Sequence, residues 1–214
     1  MAIQNILPDP NNIINDAGTN VSGDKGPGFK SVSIKSKQPI MTDRTNSGRV
    51  IARVHAYHQW LIDISYNPLT KAEFDPIYNF LLHKQGSLKP FFVSLPQYRA
   101  QGPTSKTVSS NATAGAQAIT LNSSGSGTIK PGMLFRINDP QDSNHEKAYM
   151  VTRVSGNNLT ITPGLARSVT ASSNCALDFA TPTIKVRQTS DSRDYSLNTN
   201  NLYSFSLKLE EASS

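Results

Sequence analysis

Residues 50–96 read VIARVHAYHQWLIDISYNPLTKAEFDPIYNFLLHKQGSLKPFFVSLP, and this stretch decides the fold. From Val50 the even positions run Val50, Ala52, Val54, Ala56, His58, Trp60, Ile62, Ile64 and Tyr66. The odd positions Arg53, His55, Gln59, Asp63 and Ser65 are polar, although Ile51, Tyr57 and Leu61 blur the pattern. A period of two is the mark of a strand with one face in a core. The alternation outruns the usual strand of about 5–6 residues, so it predicts one long bent strand or two consecutive strands. The strand region ends at Asn67-Pro68, and the period then changes to that of a helix: Phe74, Ile77, Tyr78, Leu81 and Leu82 share one face. Thr70 with Glu73 has the spacing of a capping box, and Leu69 and Phe74 take the staple positions around it. Pro76 conflicts with that start. It implies either a kink or a later start with Asp75 as the cap. Gly86 is suited to end the helix, and Pro90-Phe91-Phe92-Val93-Ser94-Leu95-Pro96 reads as a short buried strand between prolines.

Outward from this stretch, Val32 and Ile34 alternate with Ser31, Ser33 and Lys35 as a half-buried strand. Residues 1–29 hold much Asn, Asp, Gly and Pro with no sustained period. They read as an irregular N-terminal arm, unable to form a core alone. Beyond residue 103 a second β-rich segment follows. Its strands are Ala118–Leu121, Gly132–Ile137, Ala148–Val154 and Leu159–Thr162, with a fifth around Ala176-Leu177. Turn signals at Lys130-Pro131-Gly132, Ser155-Gly156-Asn157-Asn158 and Pro163-Gly164 bound them. Ile184–Arg187 and the alternating Tyr203, Phe205, Leu207 and Leu209 add two strands, whose acceptor is the unit containing Trp60. The expected organisation is therefore an arm over 1–29, a discontinuous β domain over 30–103 and 182–211, and an inserted β domain over 104–181. The fold class read from the patterns is mainly β with one α-helix, plus an inserted small barrel or sandwich. Trp60, Phe74, Ile77, Leu81, Phe92, Phe205 and Leu207 are expected to share one core.

The 214 residues are 36% hydrophobic and 17% charged, a folded but polar composition in which Ser, Thr and Asn suit short strands and turns. The net charge is +6. The basic residues are scattered, and even the densest group (Lys25, Lys30, Lys35, Lys37) is broken by Gly, Pro and Ser, so sequence-specific nucleic-acid recognition is not expected. Cys175 is the only cysteine; this excludes an intrachain disulfide and predicts a half-buried strand residue. The N-terminal MAIQNILPDPNN has no basic segment followed by an apolar run, and no segment has the apolar length of a membrane helix. Synthesis as a soluble, non-secreted chain without membrane insertion is the corresponding expectation.

Templates for chemistry find little support. His55 and His58 are three apart on a predicted strand and so point to opposite faces, which is wrong for a shared metal. Asp139–Glu146 is oxygen-rich but lacks the glycine and ligand spacing of a calcium loop, so it reads as a solvated hairpin tip. Asp191-Ser192-Arg193-Asp194 reads as a turn. There is no Gly-rich phosphate loop, nucleophile elbow or zinc-protease helix. No catalytic, cofactor-binding or metal-binding residue is assigned, no cofactor is expected, and the chain reads as a non-enzyme.

Residues 60–96 resemble the strand–helix–strand core of the distal tail and minor tail (baseplate) proteins of tailed bacteriophages, in which a tryptophan-bearing strand leads to a PLT-like helix start, a Gly-terminated helix and a PFFV-type strand. The ending YSFSLKLEEA resembles the closing strand of that domain. KPGMLFRIND and KAYMVTRVSGNNLTITPGL resemble small β modules of virion proteins. The resemblance implies that the discontinuous domain is a β-sandwich or split barrel with one flanking α-helix, in a structural subunit of the virion tail that forms a homo-oligomeric ring, a hexamer, at the junction of tail tube and baseplate or tail tip. The implied partners are the tail tube protein and the baseplate hub or other tail-tip proteins. A carbohydrate- or receptor-binding virion module is the alternative, and exposed aromatics on one face of 104–181 would mark it.

Overall fold

The structure, a computed structural model, describes residues 5–9, 28–54, 58–103, 106–122, 129–172, 174–192 and 194–212. The elements of the first part are β1 (Phe29–Lys37), β2 (Ile40–Arg44), β3 (Val50–Val54), β4 (Gln59–Tyr66), α1 (Lys71–His83) and β5 (Phe91–Ser94). Next come β6 (Lys106–Thr107), β7 (Ala118–Thr120), β8 (Leu134–Asn138), β9 (Ala148–Ser155), β10 (Asn158–Thr162) and β11 (Ala176–Asp178). Then follow β12 (Thr183–Gln188), β13 (Tyr195–Leu197) and β14 (Tyr203–Glu211). The fold is mainly β with one helix, as the sequence predicts. The chain divides into two compact units. Unit 1 comprises Pro8–Pro90 and Val186–Ala212; unit 2 comprises Asn5–Leu7 and Phe91–Lys185.

In unit 1 the predicted alternation becomes two strands, β3 and β4. Trp60, Ile62, Ile64 and Tyr66 of β4 are all buried, while the odd positions between them are half-buried. Burial of each such side chain is worth roughly 1.5–3 kcal/mol. β4 pairs antiparallel with β1 on one edge and with β14 on the other, and β14 pairs onward with β12. β14 turns Phe205, Leu207, Leu209 and Glu211 inward. Its far end is anchored to β4, where the Trp60 N–H donates to the Glu211 carboxylate at 3.1 Å.

The helix covers this core. Its start is Thr70, whose N–H and hydroxyl both donate to the Glu73 carboxylate at 2.8 Å. Asp75 is therefore not the cap: the helix runs through Pro76, and Asp75 pairs instead with Lys71 at 2.7 Å. Phe74, Ile77, Phe80 and Leu81 face inward. Leu82, expected on that face, is 47% exposed, and Phe80 takes the inward place. Phe74 stacks on Tyr203 (4.5 Å) and Tyr78 (5.1 Å), with Tyr195 also at 5.1 Å. After the last turn Gln85 and Gly86 take left-handed conformations (φ 55° and 67°), which ends the helix. A Cβ on Gly86 would stand 2.6 Å from the Asp191 Oδ1, the same oxygen that accepts from the Ser87 N–H and hydroxyl.

In unit 2, β5 neighbours β12, whose first residues Thr183–Lys185 fall in the same unit. Phe91 and Val93 are buried, whereas Phe92 is half-buried with the Arg136 guanidinium 5.2 Å from its ring. Phe92 thus does not belong to the core expected for it; in this strand Phe91 and Val93 are the inward pair. Of the expected arm, residues 5–7 add to β5: Ile6 bridges Phe92, the Leu7 N–H donates to the Phe92 carbonyl at 2.8 Å, and Leu7 is buried. The rest of the arm lies outside the described residues, apart from 8–9 and 28–29.

The other strands of unit 2 form a six-stranded sheet in the order β6-β11-β8-β9-β10-β7. Its two ends meet. Val108 bridges Leu121, the Asn122 N–H donates to the Thr107 carbonyl (2.8 Å), and the Ser109 N–H donates to the Thr120 carbonyl (2.9 Å). A sheet closed this way is a small barrel, one of the two forms expected for this segment. Phe135, Val151, Leu159 and Ile161 fill its core with Ile137, Tyr149 and Phe179, while Met133 and Val154 pack at its margin.

Candidate assembly surface

Residues 40–54 form a hairpin of which the sequence pattern marked only the second strand, at the start of the alternation from Val50. β2 and β3 pair with each other as a separate two-stranded sheet, in register from Ile40 opposite Val54 to Arg44 opposite Val50. The tip is held by Thr45: its N–H donates to the Arg49 carbonyl (3.0 Å), its carbonyl accepts from the Gly48 N–H (2.8 Å), and Gly48 supplies the left-handed residue (φ 81°). Every residue from 40 to 53 except Thr45 is exposed. Cross-strand partners point to the same face and neighbours along a strand to opposite faces. Ile40 and Val50 therefore share one face, and Met41 and Ile51 share the other. These four are 54–60% exposed, so the ribbon presents apolar side chains to solvent on both faces. A two-stranded ribbon on its own is marginally stable at best. One signal was present: the adjacent apolar pairs Ile40-Met41 and Val50-Ile51 flank a turn, and adjacent apolar residues on a strand must face both ways.

Among the described residues the other exposed large apolar side chains are Leu82, Leu88, Tyr195 and Leu197, all in unit 1. Beside β13 runs an open groove of about 550 Å³, with Lys30, Tyr66, Pro68, Asp194, Tyr195 and Phe205 among its lining residues. The Tyr66 hydroxyl, which donates to the Pro8 carbonyl at 3.0 Å, is held protonated well above the ordinary tyrosine range by burial and, secondarily, by the charge of Asp9.

The polar candidates are otherwise employed. His58 is buried, its Nε2 is 2.8 Å from the Ser36 hydroxyl, and its ring meets Trp60 edge-on at 4.5 Å. His55 lies outside the described residues. The Asp139–Glu146 loop is not simply solvated, as expected, because its ends fold onto the barrel. His145 is 2% exposed, with Nε2 2.7 Å from the Tyr149 hydroxyl, and Asp139 is also buried. Burial pulls the His145 pKa below its ordinary value. Asp139 and Asp142 each accept a backbone N–H two residues on, at 2.9 and 3.0 Å, and Asp142 also pairs with Arg167 at 3.2 Å. Among the described residues no three His, Cys, Asp or Glu side chains gather as metal ligands. Cys175 is fully buried in the barrel core immediately before β11 rather than half-buried on it, and burial pushes its thiol up to about 11. Asp191 sits in a bend and Asp194 lines the groove; Arg193 lies outside the described residues. No helix among the described residues is long and apolar enough to cross a membrane.

Comparison with known proteins assigns this architecture to a family. Residues 7–98 match the family described as distal tail protein pb9, A domain, N-terminal. That match contains the tryptophan strand, the helix and β5. The chain is also 32% identical to the distal tail protein pb9 of Escherichia phage T5 over 197 residues, covering 87% of this chain and 93% of the relative. A match of that extent includes the second unit as well as the first. The chain belongs to the distal tail protein pb9 family and is a structural protein of the phage virion tail.

Proposed function

We propose that the protein is a non-enzymatic ring subunit, assembling as a homo-hexamer where the tail tube meets the baseplate or tail tip. Its partners there are the tail tube protein and the hub or other tail-tip proteins. The observation that carries this reading is the β2–β3 ribbon, apolar on both faces and exposed along nearly all of its length. Apolar surface of this kind marks a contact site, and repeated self-contact generates a closed ring when the rotation closes. Mass photometry and class averages of the purified protein test it. A hexameric ring is expected; a strict monomer at high concentration, with no ring in virions, would refute it.

The domain organisation belongs to the same proposal. Residues 104–181 act as an inserted module that contacts a neighbouring tail protein or the host surface, carried by the discontinuous domain over 30–103 and 182–211. The closure of strands β6 to β11 on themselves supports this. So does the Ala100 N–H, which donates to the Ala180 carbonyl at 2.8 Å and brings the two flanks together. Replacing 104–181 by a short Gly/Ser linker is therefore expected to leave ring assembly intact and abolish tail assembly or attachment. Loss of all folding on that deletion would refute the division.

A further inference from the structure

We propose that the loop joining β8 to β9 is an acid-released flap on the barrel, pinned shut by a neutral His145 and lifted when that ring takes up a proton. The loop, residues 139–147, belongs to no strand ladder. Several of its hydrogen bonds are internal. The His145 N–H donates to the Asp142 carbonyl (3.1 Å) and the Glu146 N–H to the Asn144 carbonyl (2.9 Å), while the Gln141 and Asn144 N–H groups donate to the Asp139 and Asp142 carboxylates. Bonds of this kind travel with the loop and do not oppose its lifting. Its side-chain ties to the rest of the barrel include Asp142 to Arg167, Glu146 to Lys185 and the His145 ring to the Tyr149 hydroxyl. The first two are partly exposed ion pairs, which hold weakly. His145, at 2% exposure, is the buried pin. A cavity of about 300 Å³ is lined by Asp139, Asp142 and His145 together with Arg136 and Asn174, so the loop does not pack flush on the barrel.

The placement of protons makes the pin sensitive to pH. The Tyr149 oxygen accepts the Ala166 N–H at 2.9 Å and lies 2.7 Å from His145 Nε2. A neutral His145 takes the Tyr149 proton at Nε2 and carries its own on Nδ1. Nδ1 is buried without a hydrogen-bond partner. A second proton would set an Nε2–H against the Tyr149 hydroxyl and leave a charged ring with an unmet Nδ1–H away from water, which is costly. Four charges act on the ring. Asp139 and Asp142, on the loop itself, favour the proton; Arg136 of β8 and Arg167 beyond β10 oppose it. Burial outweighs them and holds the pKa below its ordinary value. In the lifted loop the ring regains water and an ordinary value of about 6.5. Lifting therefore binds a proton, and its equilibrium constant grows as the pH falls below about 6.5, by up to about tenfold per unit.

Hydrogen exchange of the full chain, read by mass spectrometry from pH 7.5 to 5.5 and corrected for the intrinsic pH dependence of exchange, tests this. Peptides over 139–147 report the loop, and peptides over β9 report the barrel. The loop is expected to open more often than β9 at every pH, with an opening constant that is level above about pH 6.5 and rises by up to about tenfold by pH 5.5. His145→Gln, which takes up no proton, is expected to abolish the rise. Asp142→Asn removes a partly exposed tie and keeps His145, so it is expected to raise opening throughout and preserve the rise; it carries the test if His145→Gln does not fold. A level constant in the parent, a rise that survives His145→Gln or vanishes in Asp142→Asn, or a loop and β9 that open as one would overturn the flap.

Discussion

Leu81→Ala and Leu82→Ala are adjacent substitutions on one helix with opposite expected outcomes. Leu81 is 0% exposed, and its truncation removes three carbons from the core, about 2.4 kcal/mol at ~0.8 per methylene. The cavity left behind adds about 1–2 kcal/mol, at ~24 cal/mol per Å³, to the extent that the site cannot collapse. The expected loss is therefore about 3.5–4.5 kcal/mol, a large part of the ~5–15 kcal/mol that keeps a typical domain folded. Leu82 is 47% exposed, and its truncation is expected to stay within about 0.5 kcal/mol of the parent. The assay is equilibrium urea unfolding followed by tryptophan emission. Trp60 is the single tryptophan, is 3% exposed and lies in unit 1, so the signal reports this unit even if the barrel unfolds separately. Equal losses for the two variants, or a Leu81→Ala loss below about 0.5 kcal/mol, would refute the assignment of the helix's inner face.

Glu73→Ala deprives the Thr70 N–H and hydroxyl of their acceptor and is expected to lower unit 1 stability by about 1 kcal/mol in the same assay, with Glu73→Gln recovering most of it. Gly86→Ala combines a left-handed backbone with a Cβ 2.6 Å from the Asp191 Oδ1; a loss above about 1 kcal/mol is expected, and a neutral result would remove the clash argument. Cys175 is expected to resist iodoacetamide at pH 8 in the folded protein and to react fully in urea, read by mass spectrometry. For His145 burial favours the neutral ring, so the unfolded chain takes up the proton first. Its contribution to unit 2 stability is complete above about pH 6.5 and is lost as the pH falls below that value. Hydrogen exchange of barrel amides at pH 7.5 and 5.5 should show the loss, and His145→Gln should shrink it.

The elements legible in the sequence were those whose burial imposes a period. β4 and β14 bury alternate residues because each has one face on the unit 1 core, and the helix was legible from its 3.6-residue face and its capping box. The errors share a cause. Phe92 and Leu82 are apolar residues beside correctly placed ones, and only tertiary packing decides which of two neighbours turns inward. His145 was misjudged because a loop's burial depends on what it folds back against, here Tyr149. The β2–β3 ribbon was the least legible part. Its second strand shares the period of two that starts at Val50, but its residues are exposed, so no core fixes which side chains must turn inward.

The sheet order of unit 1 also has a consequence for biosynthesis. β14 is an inner strand, flanked by β4 and β12, yet the Trp60–Glu211 bond that ties it to β4 joins positions 151 residues apart. The barrel, contiguous along the chain, can close while translation continues. Unit 1 waits, with one hydrogen-bonding edge of β4 open, until residue 211 has cleared the ribosome. A chain interrupted before β14 lacks the strand on which β4, β12 and β13 all pair, so such a fragment is left with a split sheet rather than a shortened one.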